Sequence, residues 1–397
     1  MSTLDEGLLD DPDAIAEADA TGTLRALAGA GAQVRRAAQA AREAVPAAIA
    51  PGDRPRTVIL AAPAYGPLHH ALRAVGGTDA ALPVVPATGT LPGWAGPLDL
   101  VLLAGRGDEQ PLLDLAGQAY RRGCQVVAAT PAGSVLDAAV QQSRGIVVRV
   151  PVDAAQGGSA DYSQYTAFAA QTAFWPLLTA LLAVTDACGA SGFAPGGGGV
   201  SATLAGLEAV ADRLDDASTR CRPGADTYLN PAKALAAAIA GTIPVIWGAG
   251  AVGGVAAERF ATMCTGVAAV PALAGTLPIA GRHQARVFEN GPTSGTADPD
   301  DFFRDRVDEV EPVRTHPVLL VDHDDPAATP QLGLATTTLN ALGLTAVGDV
   351  GARGGNPVER LAELIAVTDF AAVYLALGSG VGPATPGLFS WTEGGPR

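Results

Sequence analysis

Chemistry is first suggested by the glycines that follow the apolar run "IPVIW". Gly248, Gly250 and Gly253 satisfy G-x-G-x-x-G between a predicted strand and a predicted helix. Such glycines let a chain turn tightly and let a pyrophosphate approach the N–H groups of a helix start. A dinucleotide site also needs an acidic residue about 20 positions on, to hold the ribose hydroxyls. There the chain reads "TGVAAVPALAGTLP", without a carboxylate. A plain strand-to-helix turn is the expected role, and an NAD(P)-dependent enzyme is the last of three readings. Lys233 is the other singular residue: of 25 Lys+Arg residues it is the only lysine. Asn230 is a suitable N-cap before it, Pro231 suits the first helical position, and Gly241 closes the helix. A cation in a first helical turn opposes the helix dipole at a cost of a few tenths of a kcal/mol. A carboxylate partner is expected to offset that cost, with a ligand phosphate or solvent exposure as alternatives. Cys124, Cys188, Cys221 and Cys264 are scattered without a Cys-x-x-Cys pair, so neither a metal cage nor a disulfide framework is indicated. No cofactor is expected.

The elements that must position these residues read as an alternation of strands and helices. An Ala-rich helical segment occupies residues 1–50. Apolar strands are predicted at 56–63, 98–105, 125–131 and 146–151, each followed by a helix or a Pro/Gly turn, which makes 51–152 one α/β domain. Residues 153–229 read as a helical connection interrupted by the glycine run at 194–199. A second α/β domain follows at 230–397, with strands expected at "TIPVIWG", "TGVAAVPA", "HPVLLVDH" and "TAVGDVG" and a closing helix over 356–380. Continuous apolar strands alternating with helices imply parallel sheets covered on both faces.

Composition narrows the partners. Hydrophobic residues make up 48% and charged residues 16% of the 397, enough for two sizeable cores. A formal net charge of −15 argues against nucleic acid and anionic membrane surfaces, while a local cluster of N–H groups could still hold a small anion. The acidic start "MSTLDEGLLDD" lacks signal-peptide character, and the most apolar window, 167–184, contains Gln171, Thr172 and Pro176. A buried helix and a cytoplasmic protein are expected.

The stretches "NPAKALAAAIAGTIPVIWG" (230–248) and "NPVERLAELIAVTDFAAVYLALGSGVGPATP" (356–386) resemble the C-terminal half of the bifunctional phosphoglucose/phosphomannose isomerases, a branch of the sugar-isomerase (SIS) domain families. With the repeated α/β layout the likeness runs from about residue 50 to about residue 390. It implies two doubly wound SIS-type domains with helical connections, a homodimer, and a site for a sugar phosphate. The family's phosphate turns correspond here to "AAPAYGPLHH" and "AGRGDEQPL", which nominates Tyr65, Gly66, Gly105, Arg106 and Gly107 as substrate-binding residues. The second turn has lost its hydroxyls; Arg106 could replace them, whereas Asp108 and Glu109 would repel a dianion facing them. The family's ring-opening histidine corresponds to His283, with Glu289 the nearest carboxylate downstream; its glutamate base falls on Gly266, and its C-terminal lysine is missing. The leading expectation is therefore a phosphosugar-binding protein with weak or lost aldose–ketose isomerase activity. A non-catalytic regulatory or scaffolding paralogue is the second.

Overall fold

The computed structural model describes residues 4–49, 54–62, 66–76, 82–151, 172–189, 199–289, 314–344, 346 and 350–381. The chain divides into two compact units. The first comprises Arg25–Asp216, Gly355–Glu359 and Ala384–Arg397; the second comprises Met1–Leu24, Ala217–Gly354 and Arg360–Pro383. The N-terminal residues form helices α1 (Glu6–Leu9), α2 (Pro12–Ala18) and α3 (Thr23–Ala28). Asp5 and Asp11 cap α1 and α2 by accepting their first N–H groups.

In the first unit, helix α4 (Ala30–Ala48) precedes strand β1 (Thr57–Ala61), helix α5 (Gly66–Gly76), strands β2 (Val84–Pro86) and β3 (Asp99–Ala104), and helix α6 (Gln110–Arg122). Strand β4 (Gln125–Thr130), helix α7 (Val135–Gln142), strand β5 (Ile146–Arg149) and helices α8 (Phe174–Ala187) and α9 (Gly199–Arg220) follow. The five strands form one parallel sheet in the order β2-β1-β3-β4-β5. Alternate residues of each strand face opposite ways. Ile59, Val101, Leu103, Val126 and Ala128 pack with Leu112, Leu115, Leu136 and Val140 of α6 and α7. The other face is covered by α4 and α8. All six residues of β3 are buried, as a strand covered on both faces requires. Arg35 on α4 ties down α9 by pairing with Glu208 at 2.6 Å, Asp212 at 2.6 Å and Asp215 at 2.7 Å.

Helix α8 is the buried helix that the apolar window predicts. Phe174 through Thr185 are buried without a break, against α4, α5, β3 and β4 of their own unit. Residues 153–171 and the glycine run at 194–198 lie outside the described residues.

The second unit continues with helix α10 (Pro231–Ile239), strand β6 (Thr242–Ala249), helix α11 (Ala251–Gly266), strand β7 (Leu273–Thr276) and helix α12 (Ile279–Glu289). Then come strand β8 (Arg314–Asp322), helix α13 (Ala328–Ala341), strand β9 (Val350–Ala352) and helix α14 (Pro357–Gly378). Its parallel sheet runs β7-β6-β8-β9. Val245, Trp247, Leu319 and Val321 pack with Ala280, Phe288, Ala335 and Leu339 on one face, and α11 covers the sheet as well. The strand expected at 265–272 is instead the end of α11 and a loop; Val267 N–H donates to Met263 O at 2.9 Å, closing the helix at Gly266. Strand β2 and helices α12 and α13 were not foreseen. Helix α14 is long and apolar enough to cross a membrane, yet its apolar window is wholly buried, as in a core helix.

Candidate functional site

In open parallel sheets, ligands bind beyond the carboxyl ends of the strands, where the strand order reverses. The order β2-β1-β3 makes that point the gap between the ends of β1 and β3, which pair in register from Thr57–Asp99 to Ala61–Leu103. The nominated turns leave from these two ends. Gly66 opens α5, and Tyr65 lies outside the described residues.

The turn after β3 is fully described. Gly105 N–H donates to Ala129 O at 3.1 Å, extending the ladder one residue beyond the strand. Gly107 has φ +93, and its carbonyl accepts the Leu136 N–H at 2.9 Å. A Cβ on Gly107 would lie 2.3 Å from Ser134 Oγ and 2.4 Å from Thr130 Oγ1, so both backbone angle and space demand glycine. The Thr130 and Ser134 hydroxyls are 3.1 Å apart beside this turn. They restore polar oxygens that "AGRGDEQPL" lacks, from the end of β4 and the start of α7. Sequence reasoning missed them because it sought hydroxyls within the turn itself.

Glu109 decides the electrostatics. Its carboxylate accepts the Arg106 N–H at 2.9 Å and the Gly107 N–H at 2.7 Å, while its own carbonyl accepts the Leu112 N–H at 3.0 Å. Successive N–H groups before a helix form an anion cradle. Here the chain fills its own cradle with a carboxylate. Asp108 is exposed and Arg106 is half-buried.

The turn after β6 shows a comparable arrangement. Ala251 N–H donates to Asp325 Oδ2 and Gly250 N–H to Gln331 Oε1, each at 2.8 Å. Gly248 would place a Cβ 2.2 Å from Gly253 O, and Gly253 would place one 2.7 Å from Leu320 O. These glycines let α11 lie against β6 and β8, and the N–H groups a pyrophosphate would use are bonded to side chains of the same unit.

His283 is exposed on α12 in the second unit, and no hydrogen bond among the described residues orients its ring. Gly266 is the exposed last residue of α11. Glu289 ends α12. Burial pushes the thiols of Cys188 and Cys221 up to about 12 and raises Cys264 further, which leaves them protonated and inert.

Lys233 corrects a second expectation. It is fully buried, and its Nζ donates to the carbonyls of Leu9 at 2.5 Å, Pro223 at 2.6 Å and Ala225 at 2.7 Å. Tyr374 presents its ring 5.5 Å from the ammonium. Its direct partners are carbonyls rather than a carboxylate. Burial lowers its pKa, against the attraction of Asp10 and Asp226. The foreseen cap is present: Asn230 Oδ1 accepts the N–H groups of Ala232 and Lys233 at 3.0 and 3.1 Å.

Two parallel sheets flanked by helices, with glycine turns at their carboxyl edges, define the SIS-type sugar-isomerase architecture. Residues 229–387 match the family model of the bacterial phospho-glucose isomerase C-terminal SIS domain. No curated protein sequence matches it. Among solved structures it is similar to tagatose-6-phosphate ketose/aldose isomerase from Escherichia coli, with 15% identity, TM-score 0.60, and coverage of 94% of this chain and 95% of that one. It is also similar to the C-terminal domain of glucosamine-fructose-6-phosphate aminotransferase from Francisella tularensis, with 10% identity, TM-score 0.60, and 90% and 96% coverage. Glucosamine-6-phosphate deaminase from Thermotoga maritima is a further likeness, with 11% identity, TM-score 0.55, and 93% and 98% coverage. At these identities the structures establish the fold.

Proposed function

We propose that the protein binds a phosphorylated sugar at the carboxyl edge of the first unit's sheet and has weak or no aldose–ketose isomerase activity. Tyr65 and Gly66 after β1 and Gly105, Arg106 and Gly107 after β3 are the binding residues in this reading. The observation that carries it is the Glu109 carboxylate on the N–H groups of Arg106 and Gly107. An incoming phosphate must displace that carboxylate, so affinity for the dianion is reduced by the chain's own anion. Loss of catalysis rests on Gly266 at the position of the family's base and on the exposed, unoriented ring of His283. Proton transfer needs a base within hydrogen-bond reach of the proton it takes.

The filled cradle also favours a second reading, a non-catalytic regulatory paralogue whose carboxylate stands where its relatives bind phosphate. Both readings keep the homodimer that the resemblance implies and the cytoplasmic location expected from the sequence. Thermal-shift titration with glucose 6-phosphate, mannose 6-phosphate, inorganic phosphate and NAD(P), beside a coupled isomerase assay, tests the proposal. Sugar phosphates should raise the melting temperature and give little turnover. A larger shift with NAD(P), or rapid isomerisation, would overturn it.

A further inference from the structure

The opposite, amino-terminal edge of the first unit's sheet carries a surface that the sugar-phosphate reading does not use. Two cavities open there. One, of about 370 Å³, is lined by residues including Tyr120, Gly123, Gln125 and Arg144. The other, of about 240 Å³, includes Arg54, Pro97, Leu98 and Gln125. They share Gln125, and Pro97 is the nearest neighbour of Gly123, with its Cγ 3.5 Å from where a Cβ would stand. The two hollows adjoin at Gln125, a grooved surface across the starts of β3 and β4.

Large apolar side chains stand exposed along this edge: Trp94 at 49%, Leu98 at 68% and Tyr120 at 62%. Basic groups accompany them. Arg56 lies 5.6 Å from the Trp94 ring centroid and is held by Asp99 at 2.6 Å and by the Trp94 carbonyl at 3.0 Å. Arg54, Arg121 and Arg144 are exposed, and the charged residues lining the cavities are Arg54, Arg144 and the buried Asp99. Arg144 also adopts φ +59, the left-handed region that costs a non-glycine residue stability. Exposed Trp, Tyr and Arg beside a preformed groove are the composition of a binding hot spot.

We propose that this groove docks a short acidic peptide segment of a partner protein, one carrying a leucine or aromatic anchor. Charge decides the occupant. In a chain with formal charge −15, this edge is a local concentration of arginines, so a ligand confined to it meets attraction while a longer anion meets repulsion. Duplex DNA carries about one charge per 1.7 Å along its whole length and would run from the groove onto acidic surface. A short acidic segment ends within the groove. The exposed Leu98 and Tyr120 side chains, one lining each hollow, offer apolar surface to the anchor, and the arginines steer the approach.

Selection of a random peptide library on the purified protein tests this independently of the sugar site. Enriched sequences should be acidic with a leucine or aromatic residue. Synthetic versions, measured by fluorescence anisotropy, should lose at least tenfold in affinity with Leu98→Asp and with Arg144→Gly, and should weaken as salt rises. Arg144→Gly also relieves the left-handed strain, so its melting temperature should hold or rise while binding falls, which separates docking from a structural role. No enrichment, enrichment of neutral or basic sequences, affinity unchanged in both variants, or tighter binding of a single-stranded oligonucleotide would each overturn the proposal.

Discussion

Glu109→Ala offers the sharpest test of the filled cradle, because it should move stability and ligand affinity in opposite directions. The substitution removes a half-buried carboxylate that accepts two N–H groups, at 2.9 and 2.7 Å. Hydrogen bonds to charged groups contribute about 1.5–3 kcal/mol each, and partial exposure places this pair at the low end, about 3 kcal/mol together. Water can recover part of that, so a loss of about 1–2 kcal/mol is expected. For a unit of this size that is a fall of roughly 2–8 °C in Tm. In the wild type a phosphate must first break the same two bonds, whereas in the variant it finds the N–H groups open. Removing a competing cost of 1.4 kcal/mol is worth about tenfold in affinity, so glucose 6-phosphate and inorganic phosphate should bind about tenfold tighter or more. The assay is a thermal-shift titration of both proteins with each ligand, confirmed by calorimetry. A lower Tm with no gain in phosphate affinity would refute the reasoning and show that the cradle is a structural turn alone.

Wild-type turnover of glucose 6-phosphate or mannose 6-phosphate in a coupled assay should be ~10²- to 10⁴-fold below that of an isomerase with a positioned base; turnover within tenfold of such an enzyme refutes the loss of catalysis. Lys233→Met removes the buried donor to three carbonyls and should cost about 3 kcal/mol in denaturant unfolding, while the ligand-induced shift stays unchanged. A stability within 0.5 kcal/mol (roughly the noise of surface substitutions) would contradict that role. Stability should fall as pH rises above about 9, because the folded thiols of Cys188 and Cys221 keep their protons up to about 12 while unfolded thiols release them. Raised folded values contribute stability that is whole below the unfolded pKa and lost through that window, about 1.4 kcal/mol per pH unit for each thiol. Cys188→Ala should flatten the slope of Tm against pH, and an unchanged slope counts against the assignment. Sedimentation at micromolar concentration should show a dimer; a stable monomer would oppose the proposed assembly.

Much of the fold was legible because β1, β3, β4, β6 and β8 are continuous apolar runs bounded by Gly, Pro or charge, which only strands buried on both faces need. The run at 265–272 was equally apolar and misled, since periodicity cannot separate a helix end from a buried strand; the pairing of β6 with Leu273–Thr276 decides it. Strand β2 was hidden by its shortness and by Pro83 and Pro86, which suit a sheet edge. The turn after β3 was found by resemblance, but the sense of Glu109 was not legible. A carboxylate beside a phosphate turn reads as repulsion until the positive φ of Gly107 folds the backbone around it. Lys233 was foreseen as structural and its partners were not, because main-chain carbonyls leave no signature in side-chain types.

The bond from Lys233 Nζ to the Leu9 carbonyl joins residues 224 positions apart, within a unit whose remaining chain resumes only at Ala217. On a ribosome adding about 5–20 residues per second, the first helices therefore wait on the order of 10–45 s for the lysine that fastens them. During that interval Arg25–Asp216 has already emerged and can begin to fold. The opening segment is made first and completed late. A deletion of α1 should consequently damage the half of the chain that holds Lys233, and slowed translation just beyond residue 216 would lengthen the time the nascent chain spends with α1 and α2 unclaimed.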